Sequence, residues 1–274
     1  MTRFLGWNRP TQAHLARCKA GPRAVNILAG VAPASNVDLS QFVTIIDQGQ
    51  LGSCTCNSTA QIIHVAMVAA GLDPETPFLS RLFAYYMARL EDGNVGQDAG
   101  SQNCTVIDAA CRMGFCPESV WPYDIAKFAH EPSTEAIWAA FDQRGKVDVN
   151  YHRIDDGVMG SALLTVMKQA LTAGYLFNFG TPVTEAFCEG QAGTSPDNLA
   201  MPPIDGKNIA GGHSMTVCGY DDTVAKPYFK IANSWGTGYG DGGFCYFSQS
   251  YLTWGQTSDM WIVTAAPRFL GGAK

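Results

Sequence analysis

A chain of 274 residues, 46% of them hydrophobic, can bury a full core as one large domain or two modest ones, without metal or disulfide staples. Its charge is mildly acidic, 18 Lys plus Arg against 24 Asp plus Glu, and it has no basic cluster of the kind that neutralises phosphates, which argues against a nucleic-acid partner. No run reaches the roughly 18 apolar residues of a membrane-spanning helix, and the first twenty residues carry no apolar signal core; no membrane partner is expected, and the compartment stays open.

Residues 1–36 scatter Gly, Pro, Ala and charge without a sustained period, so the expectation is an extended arm, packed on a domain or partly disordered. A strand-like run at 42–46 leads into DQGQLGSC, and TCNSTAQIIHVAMVAAG then predicts a long helix with Cys54 in its first turn, ended by Gly71 and Pro74. Further helices are predicted over 80–90, where Leu82, Phe83 and Tyr86 fall at helical spacing, and over 105–113, ended by Gly114. Beyond a polar patch at 143–146 the alternation of Val147, Val149 and Tyr151 predicts a strand; a helix follows over 161–173 and a buried strand over 175–179. The stretch 189–212, rich in Gly, Ser, Pro, Asp and Asn, reads as a long loop of the functional or mobile kind. Strands at 214–220 and 228–232 come next; NSWGTGYGDGGFCYF turns through five glycines into another, and 260–264 supplies the last. The first half is mainly helical, the second mainly strands, with no internal repeat.

Nine cysteines are an odd number, so at least one thiol is free or pairs between chains. Neither the pair Cys54 and Cys56 nor the pair Cys111 and Cys116 has the two-residue gap of a zinc knuckle, and no metal site or cofactor is expected. For Cys18, in the arm, the sequence does not choose between a structural, an exposed and a bonded thiol.

A thiol becomes a nucleophile when its thiolate is stabilised, and a helix N-terminus supplies N–H groups and partial positive charge for that. Cys54 has that position. His64 lies ten residues along the same helix, about 15 Å away at 1.5 Å per residue, so a base must come from elsewhere. His213 is the candidate: Gly211 and Gly212 allow close approach of backbone, and the strand SMTVCGY would hold the ring. Asn233, at the end of the next apolar strand, could accept the imidazole N–H and fix its tautomer, with Trp235 shielding that bond from water. Gln48 offers an amide donor that could join the Cys54 backbone N–H in binding an oxyanion. Singly, these are a small buried hydrophobe, a satisfied loop histidine, a turn former and an unremarkable amide. Their joint occurrence in order points to chemistry.

QGQLGSC resembles the Gln-Gly-x-x-Gly-Ser-Cys signature of the papain family of cysteine peptidases; GGHSMTVCGYD resembles its histidine strand, NSWGTGYGDGGF its asparagine segment, and CPESVWPYD a segment of bacterial and viral members. The resemblance runs over 38–263. It implies an α+β, papain-like two-domain fold: an N-terminal arm over 1–36, resembling a pro-segment; a helical left domain over 37–146; and an antiparallel β-barrel-like right domain over 147–274, with the site in the cleft between the two domains. It implies a catalytic set of Gln48, Cys54, His213 and Asn233, a Cys54–His213 ion pair, an acyl-enzyme thioester and endopeptidase action on peptide or protein substrates. Gly52, Ser53, Gly212, Trp235 and Ser258 are assigned to substrate binding on the same ground, Ser258 near the floor of a side-chain pocket. The arm is expected to occupy or cover the cleft in cis and regulate access.

The sequence also departs from the pattern. Leu51 stands where the family has a disulfide cysteine three residues before the nucleophile; Thr55 replaces a common Trp; and the Gly-Gly cysteine motif of the cleft is not recognisable. His213 follows Cys54 by 159 residues (213 minus 54), beyond the roughly 130 to 150 of this family, an excess the 189–212 loop can absorb. Gly238, Gly240 and Gly243 satisfy GxGxxG, but FCYF continues as a strand where a nucleotide site needs a helix. Two rival readings are another Cys-His amidase or acyltransferase, separable by a substrate panel, and a catalytically silent binding protein of the same fold.

Overall fold

The computed structural model describes residues 3–18, 20–72 and 78–268; Pro74, one of the two predicted ends of the long helix, lies outside them. The arm is structured rather than simply extended. It forms α1 (Gln12–Arg17), α2 (Ala24–Ile27) and, at its end, β1 (Asn36–Asp38). Ala24 and Leu28 are wholly buried, so the second half of the arm is part of the core.

The helical half contains α3 (Cys54–Ala69), α4 (Arg81–Glu91), α5 (Asn103–Met113) and α6 (Thr134–Lys146). Three of the four have a local start or stop. The hydroxyl of Ser80 accepts from Phe83 N at 3.1 Å to open α4, Ser133 does the same for Ala136 N at 3.2 Å in α6, and Gly114, at φ 89°, ends α5. A Cβ on Gly114 would lie 2.0 Å from the Ala140 carbonyl, so the close approach of α6 to that turn requires glycine. No period in the sequence announces α6, because it buries only Ala136 and Ala140 while Trp138 and Phe141 face solvent; no stripe of large apolar residues marks its inner face.

The remainder is β2 (Val147–Arg153), α7 (Gly160–Thr172), β3 (Phe177–Thr184), α8 (Glu185–Cys188), β4 (Ile209–Asp221), β5 (Tyr228–Ala232), β6 (Phe244–Ser248), α9 (Gln249–Leu252) and β7 (Ser258–Pro267). The strands form one antiparallel sheet in the order β2-β7-β3-β4-β5-β6, with β1 on β4. The sheet is not closed into a barrel. β3 begins two residues later than predicted and runs on to Thr184, and β4 takes in the last residues of the expected 189–212 loop. The strand expected at 42–46 is absent: a 3-10 turn, Ser40–Phe42, leads into irregular backbone held along the 234–236 segment by Gln48 N to Ser234 O at 2.8 Å and Gly236 N to Ile46 O at 3.0 Å.

Strand alternation gives the sheet two buried faces. Met260, Ile262, Val217 and Ile231 join Phe177, Phe179 and Phe247 under α7 and α2, whereas Trp261, Val263, Cys218 and Ala232 face α3 with Ile62, Ile63 and Met67. Every residue from Cys54 to Ile63 is buried, polar ones included. These polar residues tie helix to sheet: Ser58 Oγ lies 2.7 Å from Ser214 Oγ, which donates to Asn103 Oδ1 at 2.7 Å, and Asn178 Nδ2 donates to Thr59 Oγ1 at 3.1 Å. A buried hydroxyl left unbonded costs about 1–3 kcal/mol, so these bonds fix the position of α3 over β4.

Candidate active site

Cys54 is the first residue of α3 and wholly buried. The start of α3 is held from three sides. Asn57 Nδ2 donates to Ser53 O at 2.9 Å and accepts, through Oδ1, from Arg81 Nη1 at 2.9 Å; Arg81 is gripped by Glu118 at 2.9 and 2.7 Å; and Tyr123, under the Arg81 guanidinium at 3.9 Å, donates to Gln48 O at 3.0 Å. Glu118 and Tyr123 belong to CPESVWPYD, a segment whose sequence carried a resemblance but no stated role.

His213 lies on β4, opposite Thr181 of β3, and is wholly buried. Its Nε2 is 2.8 Å from Asn233 Oδ1, which also accepts from Ser234 N at 2.8 Å. Because that oxygen already faces a backbone donor, the amide cannot be flipped, so Nε2 carries the proton and Nδ1 keeps its lone pair. Nδ1 is buried without a hydrogen-bond partner among the described residues. The Trp235 ring stacks on the imidazole at 4.5 Å, 19° from parallel. The Cys54 sulfur faces the backbone N–H of Ser214, the residue next to His213, together with those of Gly6 and Thr55. His213, Asn233 and Trp235 are thus brought together, and the backbone beside His213 faces the Cys54 sulfur.

Gln48 is also wholly buried, with its Oε1 accepting from Ser234 Oγ at 2.6 Å and its Nε2 donating at 2.9 Å both to Leu51 O and to the carbonyl of Phe4. Phe4 is in the arm. Around it, residues 3–9 thread between the two halves of the molecule: Arg3 lies 5.0 Å over the Trp235 ring, Trp7 N donates to Gly212 O at 3.0 Å, Ser101 N donates to Gly6 O at 2.8 Å, and Asn8 N donates to Ser101 O at 2.9 Å. The slot is floored by glycine. A Cβ on Gly6 would stand 1.8 Å from Gly52 O, one on Gly212 2.1 Å from Trp7 O, and one on Gly180 2.0 Å from the Trp7 indole. Gly52 N–H is pinned by Asp98 at 3.0 Å, and Ser53 Oγ meets Tyr123 OH at 2.5 Å. Ser258 pairs with Gly180 at the edge of the Trp7 contact, and its hydroxyl is buried without a partner among the described residues.

The polar contact to Trp7 is made by the next residue, Asp259, which the sequence reading missed. Its carboxylate accepts from Trp7 Nε1 at 3.1 Å, Trp261 Nε1 at 2.7 Å, Asn103 N at 2.7 Å and Cys104 N at 3.1 Å. Burial pushes its pKa up to about 6, so it is an anion at neutral pH, and its backbone is held at φ 61°. The signal that could have found it is an acid buried inside the hydrophobic run of a closing strand.

A model of the papain family cysteine protease matches residues 197–263, the portion with His213 and Asn233. An uncharacterised peptidase C1-like protein of Acanthamoeba polyphaga mimivirus is 33% identical over 233 residues, 83% of this chain and 71% of that one. The chain belongs to the papain family of cysteine proteases. Among solved structures, xylellain, a cysteine protease from Xylella fastidiosa, superposes with a TM-score of 0.77 at 26% identity over 96% of this chain and 98% of its own. Digestive procathepsin L 3 of the Tenebrio molitor larval midgut shares the fold, with a TM-score of 0.66 at 18% identity over 91% and 74%.

In this peptidase the thiol and imidazole are neutral while the arm is in place. Burial pushes the Cys54 thiol up to about 11, against the pull of the facing N–H groups. Burial also lowers His213 to about 4; the Asn233 bond works the other way, and the Arg3 charge adds to the lowering. Deleting residues 1–9 removes both the cover and Arg3, so the His213 midpoint, followed by NMR of its ring resonances, is expected near 4 in the full chain and well above that, toward the ordinary 6.5, in the truncated one. An unmoved midpoint would show that the arm does not set it.

Proposed function

We propose that the peptidase hydrolyses peptide bonds within proteins, with Cys54 as nucleophile, His213 as general base and acid, Asn233 as the group orienting the imidazole, and Gln48 with the Cys54 backbone N–H as oxyanion donors. The observation that carries this reading is the arm itself: a peptide backbone lies in the cleft with its Phe4 carbonyl on the Gln48 amide and its Gly6 N–H at the Cys54 sulfur. The Phe4 oxygen stands in for a substrate carbonyl as it becomes an oxyanion. Once the arm is displaced, water reaches the pair and Arg3 leaves, so the proton can pass from Cys54 to His213 Nδ1. The thiolate attacks the carbonyl carbon, the tetrahedral intermediate collapses as His213 protonates the leaving amine, and water activated by the same imidazole hydrolyses the thioester.

The second half of this proposal is that residues 3–9 hold the full chain inactive in cis. The arm's contacts with Gln48, Cys54, Gly212 and Trp235 support it, as does the proform among the fold neighbours. Gly52, Ser53, Gly212, Trp235 and Ser258 would then line the groove a substrate takes over from the arm, with Asp259 beneath the side chain that replaces Trp7. Because Ala24 and Leu28 are core residues, the truncation that tests this stops at residue 9 rather than removing all of 1–36.

The test is covalent labelling by an epoxide-type cysteine peptidase inhibitor at neutral pH. The chain lacking 1–9 should be labelled at Cys54, and both Cys54→Ala and His213→Ala should abolish labelling. No labelling of the truncated chain would favour the silent-protein reading. In the same truncated background Gln48→Ala is expected to lower kcat by about 10²–10³-fold with little change in KM, the signature of a lost oxyanion donor. A proportional rise in KM at constant kcat would instead mark Gln48 as a binding residue.

A further inference from the structure

We propose that Cys18 and Cys104 form a redox-controlled disulfide that locks the arm in the cleft, a proposal that rests on the reading of residues 3–9 as the cover of the site. Cys18 caps the C-terminal end of α1, its Sγ lies 3.3 Å from the Cys104 carbonyl, and it packs on the core cluster that contains Cys104. Cys104 is the second residue of α5 and wholly buried, and both thiols are free. Cys18 is half-buried and opens onto a cleft of about 310 Å³ lined by Gln12, Ala16, Trp261 and the cationic Arg23 and Arg153.

The surroundings give the bond something to do. α1 buries no residue fully: Leu15 packs on the core from the edge, and the polar ties are the Arg17–Asp92 ion pair at 3.0 Å, of a kind that contributes about 0–1 kcal/mol, and a His14–Asp92 contact at 3.7 Å. Cys104 N–H is bonded to Asp259, the carboxylate that holds Trp7, so the cross-link would join the arm to the element that anchors its indole. Residues 3–9 cover the cleft with both thiols free; with α1 fixed by the bond they also rebind it at higher effective concentration each time they leave, so substrate gains access less often.

The oxidant is a low-molecular-weight disulfide such as oxidised glutathione. The Cys18 thiolate attacks one glutathione sulfur and expels the first glutathione thiolate; the Cys104 thiolate then attacks the Cys18 sulfur and expels the second. One S–S bond is broken and one formed. The two protein thiols lose two electrons and two protons, and the two glutathiones take them up. The Cys18 side chain, burial and the neighbouring Asp259 keep the Cys104 thiol protonated, which makes the second step slow.

The full chain is equilibrated with oxidised glutathione or with dithiothreitol, mapped without reduction by mass spectrometry, and assayed for the rate at which an alkylating inhibitor modifies Cys54. The expected result is a linked peptide carrying Cys18 and Cys104, two hydrogens lighter than its parts, with Cys54 alkylated at least tenfold more slowly than in the reduced chain. In Cys18→Ser the linked peptide and the redox effect both vanish. Recovery of Cys18 only as a free thiol or a glutathione adduct overturns the proposal, as does a linked chain whose Cys54 reacts at the reduced rate. The chain lacking residues 1–9 separates the two layers: if it is alkylated no faster than the reduced full chain, the arm reading falls and the lock with it; if it is faster while oxidation of the full chain changes nothing, only the lock falls.

Discussion

Cys54→Ala, made in a chain whose arm has been displaced, is expected to lose peptide hydrolysis by on the order of 10⁵-fold, judged by the initial rate on a fluorogenic peptide. His213→Ala should lose a similar factor, and the double variant little more than either, because a nucleophile without its base and a base without its nucleophile leave the same residue of binding and oxyanion stabilisation. Asn233→Ala should cost less. Its Oδ1 holds Nε2–H at 2.8 Å, but the Trp235 ring stacked at 4.5 Å still restrains the imidazole plane, so part of the orientation survives. Additive losses for Cys54 and His213 would mean that they do not act on one reacting centre. A chain fully active on a non-peptide amide but inert on peptides would move the proposal to the amidase reading.

The backbone around Cys54, His213 and Asn233 was legible because short segments dictate it: a helix start, a strand carrying two glycines, a strand end. The two halves, helical and then β, were legible from period alone. What could not be read was anything carried by distant segments meeting edge to edge. The helices of the arm are short, and α1 buries no residue fully, so no apolar periodicity announced it. The 42–46 segment alternates like a strand yet is bonded to the 234–236 backbone, a partner that local propensity cannot name. Trp7 and Asp259, 252 residues apart, make one hydrogen bond across the molecule, and no local context pairs the two. The glycines of the slot were visible as residues; that Gly6, Gly52, Gly100, Gly180 and Gly212 converge on a single strand of backbone was not.

That convergence makes Gly6→Ala the sharpest test of the arm. The added methyl carbon would stand 1.8 Å from Gly52 O and 2.4 Å from its carbonyl carbon, and Gly100, at φ 70°, presses on Gly6 from the other side, so backbone meets backbone and no side chain can swing away. Overpacking of this kind typically costs 1–3 kcal/mol, and the arm can escape the whole of it by leaving the cleft. The equilibrium between covered and open site should therefore shift by about ten- to a hundredfold toward open, and kcat/KM of the full chain should rise by the same factor. Folding should be nearly untouched, since residue 6 belongs to neither the sheet nor the buried helices, and the thermal midpoint serves as the check. Gly238→Ala, where an added Cβ meets nothing within 4 Å, is the matched control and should leave activity unchanged. If Gly6→Ala leaves kcat/KM and Cys54 labelling at the level of the unaltered chain, residues 3–9 are a wall of the groove and not its cover.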